Sequence, residues 1–302
     1  MRDLDLQSLR CVIALSASRN FRVAAAQLDI SRSALSRAVA RLEADLGVRL
    51  FRRTTRSVFL TDEGEAFLSE IHGAVGTIDG AIDRLNRFRS TPRGTLRIST
   101  SEGMALQLMR PMFLAFLAAH PEMSLDIVAD GKFVDIVAEG FDAGIRFAEA
   151  VPRDMIGVKI GSDRYEMAVV ASPKYLDRLA RPSSPHDLSR HDCIRLRMPG
   201  GAMYAWEFSG LNGAFSVQVP GRLTVNSYAL AIEAALGDHG IAYTGYPLVR
   251  KHVADGRLCR LLEEWTPPFP GLQLYYPMRS DLSAGLKAFV DFVRRHTHGT
   301  TP

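Results

Sequence analysis

The sequence predicts an α+β chain in three parts: a helical head closed by a short hairpin over residues 1–60, a long linker helix over 61–91, and an α/β body over 92–302. Three observations predict it. Apolar residues recur at helical spacing through the first fifty positions, a single helical seam runs from Phe67 to Leu85, and β-branched runs alternate with helical stretches from Gly94 onward. A length of 302 residues, at roughly 100 to 200 per domain, suits about two globular domains, and 47% hydrophobic content excludes a disordered or collagen-like chain.

Charge is unevenly spread. The formal net charge is +4, yet residues 1–60 carry 11 Arg and five acids, a net of +6, which leaves −2 for the remainder. The head has no lysine, the first being Lys132. Arginine pairs bidentately with phosphate and with guanine edges, so nucleic acid is the leading partner. Cys11, Cys193 and Cys259 are odd in number, far apart and outside any CxxC pair, which argues against a disulfide framework or a zinc ribbon and fits a reducing cytoplasm. The chain opens without a basic-then-apolar leader, and no run approaches the roughly 18 apolar residues that span a bilayer. A soluble, cytoplasmic protein without a membrane partner is expected.

Within the head, Leu4, Leu9, Val12 and Ile13 mark a first helix over about 5–18. Asn20 caps a short second helix whose Ala24, Ala25 and Ala26 allow close helix approach. Ser31 caps a third helix, in which Ala34, Leu35, Ala38, Val39, Leu42 and Leu46 form the buried stripe and Gly47 the stop. Helix, short turn and helix make a helix-turn-helix. Ser31, Arg32, Ser33, Ser36, Arg37 and Arg41 fall at the start and along the polar side of the third helix, where a recognition helix meets base edges and phosphates. Two β-capable runs, Val48 to Leu50 and Ser57 to Leu60, flank a basic tip that includes Arg52, Arg53, Thr54 and Arg56. They read as a wing placed to touch a flanking groove. Solvated arginines and purely capping serines are the plainer account of the same residues.

Residues 20–64 resemble the winged helix-turn-helix of LysR-type transcriptional regulators. The resemblance rests on the alanine-rich helix, the serine-rich stretch Ser31 to Arg37, Leu42-Glu43 with Leu46-Gly47, Leu50-Phe51 with Arg53, and Thr61 with Gly64. Arg32 departs from the glutamine often found there, so the family's base preference at that position is not transferred. The resemblance implies a body shaped like a periplasmic binding protein, with subdomain I over about 92–163 and 269–302 and subdomain II over about 164–268. It further implies a small-molecule effector in the cleft between them, assembly as a dimer and then a dimer of dimers, and RNA polymerase as a further candidate partner. Trp206-Glu207-Phe208 and the Trp265-Thr266-Pro267-Pro268 loop resemble one branch of the family without naming a ligand.

Thr61 caps the linker helix, where Phe67, Ile71, Ala74, Ile78, Ala81 or Ile82, and Leu85 form a seam suited to pairing with a second subunit. Packing on its own domain is the alternative. Ser90 to Gly94 breaks the helix. In the body the β-capable runs and helices imply a mainly parallel sheet with helices on both faces, including helices over about 103–119 and near 132–139. Ligands of such sheets bind beyond the carboxyl ends of strands, at helix N-termini. Ser99-Thr100-Ser101 and Asn226-Ser227-Tyr228 are the candidate mouths, each offering hydroxyls and a positive helix end suited to a carboxylate; plain N-capping would also explain the serines. Asp130, Arg146, Phe147, Met198, Trp206 and Thr244 fall near strand ends and are further candidates for a cleft that takes an anionic or aromatic metabolite.

Nothing in the chain spells a catalytic or cofactor site. GxSxG, Gx4GK[ST], GxGxxG after a strand and HExxH are all missing, and His186-Asp187 with His191-Asp192-Cys193 matches no standard ligand frame. The expectation is a non-enzymatic, ligand-responsive transcription factor without metal or cofactor. A small-molecule enzyme and a non-specific DNA-compacting protein are the alternatives.

Overall fold

The computed structural model describes residues 5–53, 58–85, 92–211, 213–278 and 282–297. The chain divides into two compact units, Met1–Phe88 with Asp135–Phe141, and Arg89–Val134 with Asp142–Pro302.

The head begins with α1 (Leu6–Ser18), α2 (Phe21–Gln27) and α3 (Arg32–Leu46), each opened by a side-chain cap. Asp5 accepts from the Gln7 amide, Asn20 from the amides of Arg22 and Val23, and Ser31 from that of Ala34. Gly47, at φ 74°, ends α3 in the left-handed conformation that glycine adopts without strain. Val12, Leu15, Ala24, Leu35, Val39 and Leu42 form the shared core. The turn between α2 and α3 is tied by the Ile30 amide donating to the Ala25 carbonyl at 3.0 Å.

The wing is an antiparallel pair, β1 (Phe51–Arg53) and β2 (Val58–Leu60), with Phe51 opposite Leu60. The first strand therefore starts later than the run Val48 to Leu50. Its start is fixed from α3, where Glu43 Oε1 accepts from the amides of Leu50 and Phe51 at 2.9 and 3.0 Å. Thr61 then opens α4 (Asp62–Leu85), its hydroxyl donating to the Arg49 carbonyl and accepting from the Gly64 amide. Phe67 and Ile71 pack against the head core and Leu68 belongs to it, so the first half of the seam is used by the head itself. Ala74 and Ile78 are exposed.

In the body the chain runs through β3 (Gly94–Ser99), α5 (Glu102–Leu108), α6 (Ala115–Ala119), β4 (Met123–Val128), β5 (Ala143–Phe147) and β6 (Met155–Lys159). It continues through β7 (Arg164–Tyr165), β8 (Met167–Ala171), α7 (Pro173–Leu176), β9 (Arg195–Leu196), β10 (Trp206–Gly210), β11 (Gly213–Val217), β12 (Thr224–Val225) and α8 (Tyr228–Leu236). It ends with β13 (Ala242–Gly245), α9 (Tyr246–Ala254), β14 (Cys259–Leu261), β15 (Phe269–Pro270), β16 (Leu272–Pro277) and α10 (Ala284–Thr297).

One sheet has the order β4-β3-β5-β16-β6, a second the order β13-β8-β14. Only β4, β3 and β5 run parallel in the first, and β8 pairs antiparallel with both neighbours in the second. The expectation of a mainly parallel sheet is corrected by this pairing. The cause is β16, which enters between β5 and β6 after the chain has built the second sheet and runs against both. Phe113, Phe116 and Phe289 anchor the core of the first sheet; Trp206, Phe208 and Tyr243 anchor a core on the second.

Two further differences from the expected helices have local causes. Between α5 and α6 the helix widens to π geometry over Met109–Leu114, where Pro111 contributes no amide to the ladder. Near 132–139 there is no helix but a single turn, in which the Asp135 carboxylate accepts the amides of Val137 and Ala138.

Candidate nucleic-acid interface and ligand cleft

The outward side of α3 carries its polar residues. Arg32, Ser33, Arg37 and Arg41 are exposed and Ser36 is half-buried, while Leu35, Val39 and Leu42 are buried. Ser31 doubles as the helix cap and lies 3.0 Å from the Ser33 hydroxyl. Arg41 is partly committed to Asp45, one turn on, at 3.8 Å. Arg52 is exposed on β1, the Arg53 side chain is outside the described residues, and so are Thr54 and Arg56. The arrangement offers three exposed arginines from one helix and a fourth from the hairpin, which suits phosphate and base-edge contacts. Glu43, which the sequence marked only as part of a pattern, is the acid that sets where that hairpin starts.

In the body, Ser101 and Ser227 cap α5 and α8, accepting from the amides of Met104 and Leu230. The two caps line one cavity of about 570 Å³ together with Asp130, Lys132, Arg197, Met198, Asn226 and Tyr228. Its most informative contact is Glu102. That carboxylate accepts from the Ser227 hydroxyl and from the Tyr228 amide, each at 2.6 Å, and so occupies the positive end of α8 from the other side of the cleft.

A second cavity of about 320 Å³ shares Ser101, Gly131, Met198 and Tyr228 with the first. Arg146, Phe147, Tyr165, Tyr204, Glu207 and Phe269 are among its lining residues. Arg146 is only 3% exposed. Its terminal nitrogens donate to the carbonyls of Ser99, Ile145 and Lys132 and to the Ser99 hydroxyl. Burial pulls its pKa below the ordinary guanidinium value, opposed by Tyr275 and Asp130. Burial likewise pushes Tyr228 up to about 12, so its hydroxyl is neutral and available as a donor.

Not every predicted residue faces these cavities. Ser99 is buried behind Arg146, and Thr100 is fully buried with a hydroxyl that has no hydrogen-bond partner among the described residues. Thr244 is buried in β13 and its hydroxyl is unpartnered in the same sense. Trp206 is 1% exposed and stacks on Tyr243 in the second core, 5.4 Å between centroids. It is a core residue, and its neighbour Glu207 is the one at the cavity. The alternation Trp206, Glu207, Phe208 along β10 is the sequence signal that separates the two. Glu102, Tyr165, Tyr204 and Glu207 carry no local sign of a cleft role, because that role depends on elements far away in sequence.

The His191 segment also resolves. His191 is buried with Nδ1 3.3 Å from the Tyr175 hydroxyl, and burial lowers its pKa against a smaller opposing effect of Asp187. The buried Cys193 thiol is pushed up to about 12, far from a thiolate. Among the described residues no cluster of three His, Cys, Asp or Glu could hold a metal, and no helix is long and apolar enough to cross a membrane.

Comparison with known proteins agrees with both halves. Residues 6–65 match the bacterial regulatory helix-turn-helix protein, lysR family, and residues 89–298 match the LysR substrate binding domain. The HTH-type transcriptional regulator YcaN of Escherichia coli strain K12 is 35% identical over 96% of this chain and 95% of its own length. PgrR, an HTH-type transcriptional regulator of the same strain, is 37% identical over 96% of this chain and 97% of its own. The full-length virulence activator AphB of Vibrio cholerae superposes with a TM-score of 0.68 at 21% identity, covering 96% of this chain and 99% of that one. CrgA of Neisseria meningitidis gives 0.60 at 26% identity, covering 96% and 98%. With a helix-turn-helix head, a substrate-domain body and regulators related along nearly its whole length, this chain belongs to the LysR-type family of transcriptional regulators.

Proposed function

We propose that α3 reads an operator through Arg32, Ser33, Ser36 and Arg37, that the hairpin supplies phosphate contacts, and that a small molecule in the Ser101–Ser227 cleft changes how the protein engages DNA. In this reading the working parts are residues 1–60, the linker 61–91 and the effector body 92–302, with subdomains divided near 164 and 269. The observation that carries it is the conjunction of an exposed arginine and serine face on α3 with a two-walled cavity in the body. The protein acts by binding, in the cytoplasm, without turnover of the ligand.

Self-association belongs to the same reading. Leu106, Met109 and Leu114 are 45%, 36% and 50% exposed on the helical stretch from α5 to α6, and Leu230 is 54% exposed on α8. Apolar surface of that kind suits a second copy of the chain, since a dimer presents two recognition helices to a two-fold site. Assembly into a dimer of dimers and contact with RNA polymerase are the finer parts of the proposal. The test is selection of bound DNA from a random pool, followed by affinity measurements across salt concentrations. Arg32→Ala is expected to lose discrimination between selected and random sequences, by about 1 to 3 kcal/mol if it reads a base. Arg52→Ala is expected to weaken both equally and flatten the logarithmic salt dependence by about one unit. Unchanged affinity in both variants, with the fold intact, would place the DNA face elsewhere.

A further inference from the structure

The mouth of the cleft and its inner cavity differ in what they leave for a ligand. At the mouth, the anion seat at the start of α8 is filled by the protein's own Glu102. In the inner cavity the balance is different. Arg146 is 3% exposed, its terminal nitrogens meet only uncharged oxygens, and its Nε has no partner among the described residues. No carboxylate of those residues lies within ion-pair distance of it. Asp130 acts on this guanidinium only through space, without a direct ion pair, so a buried charge is left incompletely compensated and a ligand carboxylate is its natural complement.

The same cavity also holds charge of the opposite sign. Glu207 and Glu149 line it, Glu207 receives the Tyr204 hydroxyl at 3.2 Å, and neither carboxylate has a cation within ion-pair distance among the described residues. Aromatic rings fill the remaining wall: Phe133, Phe147, Tyr165, Tyr204, Tyr228 and Phe269. A plain carboxylate would satisfy Arg146 and leave the two glutamates facing an anion. A plain amine would do the reverse.

We infer that the inner cavity takes an amino-acid-like zwitterion, its carboxylate toward Arg146, its ammonium toward Glu207, and an apolar or aromatic side chain among the rings. The inference rests on the cleft being the effector site. A volume of about 320 Å³ is of small-metabolite size, and ring faces beside a carboxylate favour a cation.

Calorimetric titration of the full-length protein with L-phenylalanine, L-leucine and L-methionine, each beside its desamino acid and its amide, tests this. Each amino acid is expected to bind at least tenfold more tightly than either of its truncated counterparts. Glu207→Gln, at an exposed position, should fold normally and lose the preference for the amino acid over the desamino acid. Met198→Trp, which fills the space shared by both cavities, should abolish binding of every compound. Equal or tighter binding of the desamino acids, lost in Met198→Trp, would overturn the zwitterion and keep the cleft. Binding that survives Met198→Trp would overturn the cleft reading itself. Failure of every compound in the panel to bind overturns the zwitterion.

Discussion

Glu43 is, among the described residues, the one acid buried in a basic head, and it serves the backbone. Its carboxylate accepts from the amides of Leu50 and Phe51 where the hairpin begins. Glu43→Ala leaves both without that acceptor and is expected to destabilise the head by about 2 to 4 kcal/mol, read from denaturant unfolding, with Glu43→Gln losing less because an acceptor oxygen remains. His191 gives a pH signature instead. Burial holds its folded pKa below the ordinary value, so the unfolded chain takes the proton first. The stability linked to it is complete above about pH 6.5 and declines as pH falls below that. His191→Asn should flatten the slope of unfolding free energy between pH 7.5 and 5.5; an unaltered slope would assign that pH dependence to other groups. Residue roles were legible in the sequence where they are local, as with the caps Asn20 and Ser31. Trp206 belongs to the core because alternate residues of β10 face opposite sides, which leaves Glu207 as the exposed one.

At the scale of elements, helices declared themselves through caps, stripes and stops, all of which lie within a few residues of one another. Strand direction did not. Whether β16 runs with or against β5 depends on how more than a hundred intervening residues fold, which no local spacing records. The seam on α4 was visible as a pattern, but its first half packs against the head rather than a partner, because periodicity marks a buried face without naming what buries it. The turn into α4 gives the element-scale prediction. A Cβ on Gly64 would run into the Leu50 carbonyl oxygen, whose backbone cannot move without disturbing the bond from the Thr61 amide. Gly64→Ala is expected to cost about 1 to 3 kcal/mol by overpacking, measured as a shift in the denaturant midpoint. The expanded turn at Met109–Leu114 carries its own phase consequence, since a π turn offsets the exposed residues of α6 from those of α5.

For the molecule as a whole, the separation of a +6 head from a −2 remainder marks the head as the nucleic-acid-binding part before any geometry is considered. That asymmetry was legible from composition; the cleft was legible as two capped helices and scattered strand-end residues such as Arg146 and Met198, because its walls come together only through folding. Emptying the cleft mouth is the corresponding experiment. Glu102→Ala should let acetate or formate raise the melting temperature at fixed ionic strength, through binding to the folded state, while the parent protein shows no saturable shift. Equal responses would mean that Glu102 does not control access to α8.

Glu102 also sets a threshold. A group held in place by its own chain competes at an effective concentration of roughly millimolar or more, without ever diffusing away. A free anion that binds the start of α8 no better than a carboxylate must exceed that level to enter. The expected consequence is that background acetate, phosphate and similar ions leave this helix end unoccupied, because the protein's own side chain already holds it.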